Sequence, residues 1–152
     1  MNRTVTASAA RSVDAPSGVV FGCLSDFREH HPRFLPPAFA DFRVEEGGTG
    51  EGTVVSFTFT AGGRSRQYRM RVVVPEPGRV LEERDTRSSL VTTFTLTPEG
   101  DRTQVRVETS WVGAGGVGGL FERLFAPRAL ARVYADELAR LDAYARSRVA
   151  QP

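Results

Sequence analysis

The sequence predicts an α+β domain in which a seven-stranded antiparallel sheet curves around one long C-terminal helix. Three observations carry that prediction. From about residue 39 to residue 111, apolar and polar residues alternate in segments separated by short turns, the pattern of a meander with one wet face. A single long amphipathic stretch follows. The apolar face of the sheet needs a cover, and that helix is the long one available.

The elements follow in order. Val5, Ala7, Ala9 and Val13 keep strand period, with Arg11 the exception. Asp14 to Ser17 ends this strand and opens a helix, which Asp14 or Ser17 is placed to cap. Val19, Val20, Cys23, Leu24 and Phe27 recur at helical spacing, and the helical pattern fades near Pro32 and breaks at Pro36-Pro37. Two short helices are therefore expected after strand 1. Phe42 and Val44 begin the alternation, and a glycine-rich turn, Gly47 to Gly52, follows. Val55, Phe57 and Phe59 then form a hairpin with Tyr68, Met70 and Val72 across Ala61-Gly62-Gly63. Val80 to Asp85 is a short strand with charges on both faces, so its inward side is open. Thr92, Phe94 and Leu96 precede the turn at Pro98 to Asp101, and Val105, Val107, Thr109 and Trp111 close the sheet. Gly113 to Gly119 reads as a flexible hinge before a helix running to about Arg146, kinked or split by Pro127. On its wheel Leu130, Val133, Tyr134, Leu138, Leu141, Tyr144 and Ala145 share one side. Arg128, Arg132, Asp136, Asp142 and Arg146 fall on the other.

The 152 residues suit one domain over 1–146 with a short tail, 147–152, and 40% hydrophobic residues suffice for a core. No apolar run approaches the roughly 20 residues of a membrane span, and the first ten residues lack the apolar block of a signal peptide. A cytoplasmic protein without stable membrane insertion is expected. Cys23 sits in an apolar run and reads as a small buried hydrophobe. Every basic residue is arginine. That bias points to a GC-rich genome rather than to a function, and it excludes a lysine Schiff base. Arg64, Arg66, Arg69 and Arg71 cluster modestly, without the density of a nucleic-acid surface, so no nucleic-acid partner is expected.

Few motifs carry chemistry. Gly113, Gly115 and Gly118 spell G-x-G-x-x-G, but no second parallel strand follows the helix, which argues against a dinucleotide site. His30 and His31 are neighbours with no third ligand in sight, so no metal is expected; Asp26 and His30 are spaced for a helical pair. Glu137 falls inside the apolar stripe of the last helix. It is either buried, and then paired or protonated, or lifted to the rim by a register shift after Pro127.

Strand, short helices, six strands, long helix is the order of the SRPBCC, or START-like, superfamily, the helix-grip fold of the birch-pollen allergens. The chain resembles it over residues 3–146, most closely bacterial members of the polyketide cyclase/dehydratase and lipid-transport type. The resemblance rests on "SVDAPSGVVFGCLSDFREHHPRFLP" (12–36), "GTGEGTVVSFTF" (48–59), "VTTFTLTPEGDRTQVRVETSW" (91–111) and the closing helix. It implies a cavity between sheet and helix that binds a small hydrophobic molecule, with no cofactor, in a monomer or a homodimer. The candidate ligand-binding residues are Phe27, Phe34, Phe57, Phe59, Arg66, Met70, Glu83, Phe94, Trp111 and Tyr134. If the cavity is instead that of a polyketide aromatase/cyclase or dehydratase, Tyr68, Glu137 and His31 are the candidate proton-transfer groups. Such cyclases often use a pocket arginine, which Arg66 matches only loosely.

Overall fold

The alternating segments pair into one antiparallel sheet of order β1-β7-β6-β5-β4-β3-β2. The computed structural model describes residues 3–61, 63–113 and 116–150, and the side chains of all of these except 3 and 116–125. The strands are β1 (Arg3–Val13), β2 (Phe39–Glu46), β3 (Val54–Ala61), β4 (Arg64–Glu76), β5 (Val80–Asp85), β6 (Val91–Glu99) and β7 (Arg102–Gly113). Between β1 and β2 lie α1 (Ser17–Ser25) and a short 3-10 helix (His31–Phe34); α2 (Gly116–Ala150) closes the chain. β2 to β7 run as a meander, and β1 pairs with β7 along its whole length. This is the helix-grip fold. Its core joins Val105, Val107 and Phe94 of the sheet to Leu24 of α1 and Leu138 and Leu141 of α2, all buried.

Several local expectations need correction. Neither Asp14 nor Ser17 caps α1 through its side chain. The cap position is Pro16, whose carbonyl accepts from the N–H groups of Val19 and Val20. α1 ends at Ser25, well before Pro32. Asp26 meets His30 through the backbone, its carbonyl accepting from the His30 N–H at 3.2 Å, while its side-chain Oδ1 accepts from the N–H groups of Arg28 and Glu29 at 3.1 and 2.9 Å and turns the chain. α2 already includes Gly116 and runs as one helix through Pro127 to Ala150, so part of the predicted hinge is helical. Residues 114 and 115 of that hinge lie outside the described residues. Phe42 and Val44 do alternate with exposed Arg43 and Glu45, but the strand starts earlier, at Phe39, with an irregularity before them. The pairing of β2 with β3 shifts between Ala40 and Arg43, and Asp41 adopts a left-handed φ of 54°. This bulge turns Phe39 and Phe42, three apart, toward the same side.

Arg11 and Asp142 explain each other. Arg11 breaks the apolar pattern of β1, and Asp142 was expected on the solvent side of α2. Asp142 is buried instead, accepting from the Arg11 guanidinium at 3.1 Å and the backbone N–H of Asp14 at 3.0 Å. Burial pushes its carboxyl up, but the Asp14 N–H and the Arg11 side chain outweigh that and hold it below the usual aspartate value. Replacing it in Asp142→Ala is expected to cost about 1–3 kcal/mol, because charge-assisted bonds joining β1 to α2 are lost and the Asp14 N–H is orphaned. A shift of the urea midpoint at unchanged slope is the readout. A depressed carboxyl contributes its full stabilisation above its unfolded value of 3.8 and loses it as pH falls from there through the lower folded value, so the difference between variant and wild type shrinks in that acid range.

Candidate functional site

The strand register builds the site. Paired positions share a face of a sheet, and the register lines up Val72, Glu83, Thr92, Thr109 and Ala7 across β4, β5, β6, β7 and β1. All five are buried on the concave side, facing α2. The inward side of β5 is thereby settled: Leu81 and Glu83 point in, while Glu82 points out and pairs with Arg84 at 2.7 Å. On α2, Tyr134 and Glu137 lie one turn apart over this row. The Tyr134 hydroxyl bonds Thr109 Oγ1 and, at 3.4 Å, Thr92 Oγ1, and the two threonines bond each other at 2.6 Å. These bonds tie the helix to the sheet, so the Tyr134 hydroxyl has a structural partner on the sheet.

His31 enters from the 3-10 helix. Its Nδ1 lies 2.7 Å from the carbonyl of Leu24. A carbonyl only accepts, so Nδ1 carries the proton and Nε2 presents a lone pair. That Nε2 is 3.7 Å from Glu83 Oε1. The ring is stacked on Phe27 at 4.5 Å, flanked by Phe34 at 4.8 Å and met edge-on by Phe94 at 6.1 Å. Glu137 is 1% exposed, and its Oε2 has no hydrogen-bond partner among the described residues.

Burial sets the protonation states. It lowers His31 to about 4, against a weaker upward pull from the Leu24 carbonyl. It raises Glu83 to about 7. It raises Glu137 well above the usual carboxylate value, and the neighbouring charges of Glu83 and Asp136 add to the effect. Near neutral pH the His31 imidazole is therefore neutral, Glu83 titrates, and burial favours the protonated form of Glu137.

These groups open onto a cavity between the sheet and α2. Its volume is about 60 Å³, space for a few waters at roughly 10–15 Å³ each. Its wall is aromatic. Phe39 packs on Phe57 and Phe59 at 5.3 and 4.9 Å, and Tyr68 on Phe57 at 5.7 Å. Of the sequence candidates, the structure gathers His31, Phe57, Phe59, Tyr68, Met70, Glu83, Phe94, Tyr134 and Glu137 around this space. Four others stand apart. Phe27 and Phe34 are buried behind His31 and support its ring. Arg66 is exposed, its guanidinium 5.2 Å from the Tyr68 ring centroid. Trp111 is half-buried and outside the described lining.

The lining also includes Leu35, Leu90 and Leu130, the threonines 92 and 109, and Phe39 and Phe42. The threonines were readable from strand parity, since they alternate with outward residues. Phe39 and Phe42 were not, because the bulge that aims both inward has no clear mark in composition. No group of three or more His, Cys, Asp or Glu among the described residues is placed to hold a metal ion. Nor does any described helix have the length and apolar character to cross a membrane. Cys23 is buried, and burial raises its thiol to about 11, away from thiolate chemistry.

Comparison with known proteins now bears on this geometry. A search of curated proteins gave no match. Among solved structures, the KanY protein is similar at 32% identity and a TM-score of 0.84, covering 95% of this chain and 99% of its own. The Zhui aromatase/cyclase of Streptomyces sp. R1128 shares the fold at 18% identity, with a TM-score of 0.79 over 97% of this chain and 96% of that one. A major latex-like protein of Panax ginseng does so at 16% identity, with a TM-score of 0.69 over 92% and 96%. The family model described as polyketide cyclase / dehydrase and lipid transport matches residues 4–146. With nearly the whole chain matched and the sheet gripping α2 as that architecture requires, the protein belongs to the polyketide cyclase/dehydrase and lipid transport family of the SRPBCC superfamily.

Proposed function

We propose that this protein binds a small, mainly apolar molecule, a lipid, a polyketide or a similar metabolite, in the cavity between its sheet and α2. One observation carries the reading. Glu137 is buried on a largely apolar cavity wall with an oxygen that has no hydrogen-bond partner among the described residues. A core built only for stability would place an apolar residue there, since an unsatisfied buried polar group costs about 1–3 kcal/mol. A carboxyl retained at that cost fits a ligand that supplies its partner. The family description, which joins cyclases and lipid carriers, supports the same reading.

Native mass spectrometry of the protein purified without denaturation, followed by NMR titration with small ring compounds, tests it. A co-purified ligand, or shifts confined to residues such as Phe57, Met70 and Phe94, is the expected result. Absence of both sinks the reading.

A catalytic reading, polyketide cyclase or dehydratase, has its own observation. Glu137 and Glu83 line one cavity with protonation preferences pushed to different degrees, the arrangement that separates an acid from a base. Glu83 as carboxylate is suited to remove an α-proton and Glu137 to protonate the oxygen, while the His31 Nε2 lone pair, 3.7 Å from Glu83, is placed to accept a hydrogen bond from the proton that Glu83 takes up. If that assignment is right, hydrogen–deuterium exchange at the α-carbon of a bound ketone falls by about 10²-fold or more in Glu83→Gln. Tyr68→Phe tests the remaining candidate. Exchange that survives Glu83→Gln and Glu137→Gln rules the assignment out.

A further inference from the structure

The polar groups of the cavity differ in what they can offer a guest. No arginine belongs to its described lining. His31 has committed its Nδ1 proton to the Leu24 carbonyl and turns a lone pair inward. The hydroxyls of Thr92, Thr109 and Tyr134 bond one another. Glu83 faces the His31 lone pair, its Oε1 3.7 Å from His31 Nε2. Glu137 alone among these has a buried oxygen with no partner among the described residues. A guest carboxylate placed at this depth would be desolvated with no arginine in the described lining beside it. It would also face Glu83, which is partly ionised near neutrality, so it is disfavoured relative to a neutral carbonyl.

We infer that the cavity selects a neutral carbonyl compound over an equally large carboxylate, with the Glu137 carboxyl donating a hydrogen bond to the carbonyl oxygen. The inference rests on the binding role proposed above and narrows it: free fatty-acid or aryl-acid head groups do not enter the deep end. An acid head held at the mouth is the competing arrangement. Exposed Arg66, over the Tyr68 ring, is the cation it would use.

Three probes of one shape separate these cases: acetophenone, isopropylbenzene and benzoate, titrated at pH 7 into the full chain and followed by NMR. Acetophenone is expected to bind about fivefold or more tightly than isopropylbenzene, the value of one buried hydrogen bond. Benzoate is expected to bind at least tenfold more weakly than acetophenone. Glu137→Met removes the donor and fills the volume, so it should erase the acetophenone advantage while isopropylbenzene still binds. Glu137→Gln, whose amide also donates, should keep most of it. Benzoate binding as tightly as acetophenone overturns the inference, most directly if Arg66→Ala abolishes that binding. Retention of the acetophenone advantage in Glu137→Met overturns it as well. If isopropylbenzene itself shifts no cavity residue, the binding role fails first and the inference goes with it.

Discussion

Glu137→Met raises the thermal midpoint at pH 8 by about 4–8 °C, the equivalent of roughly 2 kcal/mol in a protein of this size. The buried carboxyl has an oxygen without a partner among the described residues, and burial together with the Glu83 charge opposes its ionisation. In the unfolded chain the same carboxyl ionises freely above its ordinary value of 4.5. The unfolded state therefore binds fewer protons than the native state above that pH, and stability falls as pH rises. Glu83 acts in the same direction between 4.5 and about 7. His31 acts oppositely. Held at about 4 against an ordinary 6.5, it is neutral when folded and protonated when unfolded, so its contribution grows with pH between those values. Through pH 4.5–6.5 His31 offsets one carboxyl and leaves the other uncompensated. Above 6.5 only the falling terms remain. Melting curves from pH 5 to 9 should slope downward in the wild type and less steeply in Glu137→Met. Equal slopes and equal midpoints would mean that Glu137 is solvated or paired in solution.

Phe27→Ala produces the largest loss, about 3–5 kcal/mol, through the cavity left by a fully buried ring. Phe27 also forms the flat support of His31, stacked at 4.5 Å with the planes 16° apart. Removing it admits water beside the imidazole and weakens the desolvation that holds His31 near 4. Chemical denaturation should report the stability loss, and NMR titration of the His31 ring should show its midpoint moving back toward 6.5. Phe59→Ala is the control. Phe59 is half-buried on the cavity wall, where space already exists, and its loss should cost about 1 kcal/mol. Equal losses from the two substitutions would place Phe27 outside the core or Phe59 within it.

The candidate site divides into parts that are local in sequence and parts that are not. Glu137 is visible on a helical wheel, because its anomaly is a charge within three or four residues of Tyr134, Leu138 and Leu141. Phe57, Phe59, Tyr68 and Met70 follow from alternation across one hairpin, and the register joins them as Phe57↔Tyr68 with Val55↔Met70. Glu83 is different. Its neighbours Glu82 and Arg84 give β5 charges on both faces, and only pairing with Val72 on one side and Thr92 on the other turns Glu83 inward. The two histidines are equally indistinct in the chain. His30 reaches Tyr144 at 2.7 Å while His31 turns into the cavity. The 3-10 turn separates them, and nothing in a pair of identical side chains encodes that choice.

The sequence by itself determined the architecture: period two for the strands, period 3.6 for α2, and one apolar face on each that must meet. These signals are local and repeated, so individual exceptions such as Arg11 do not erase them. Only the tertiary structure decided which polar groups share the space between those faces. Glu83, His31 and Glu137 come from three separate elements. Their encounter depends on strand register, on the bulge and turn that aim side chains, and on the depth at which α2 lies over the sheet. Such choices are made by packing over long sequence separation, where no short-range pattern records them.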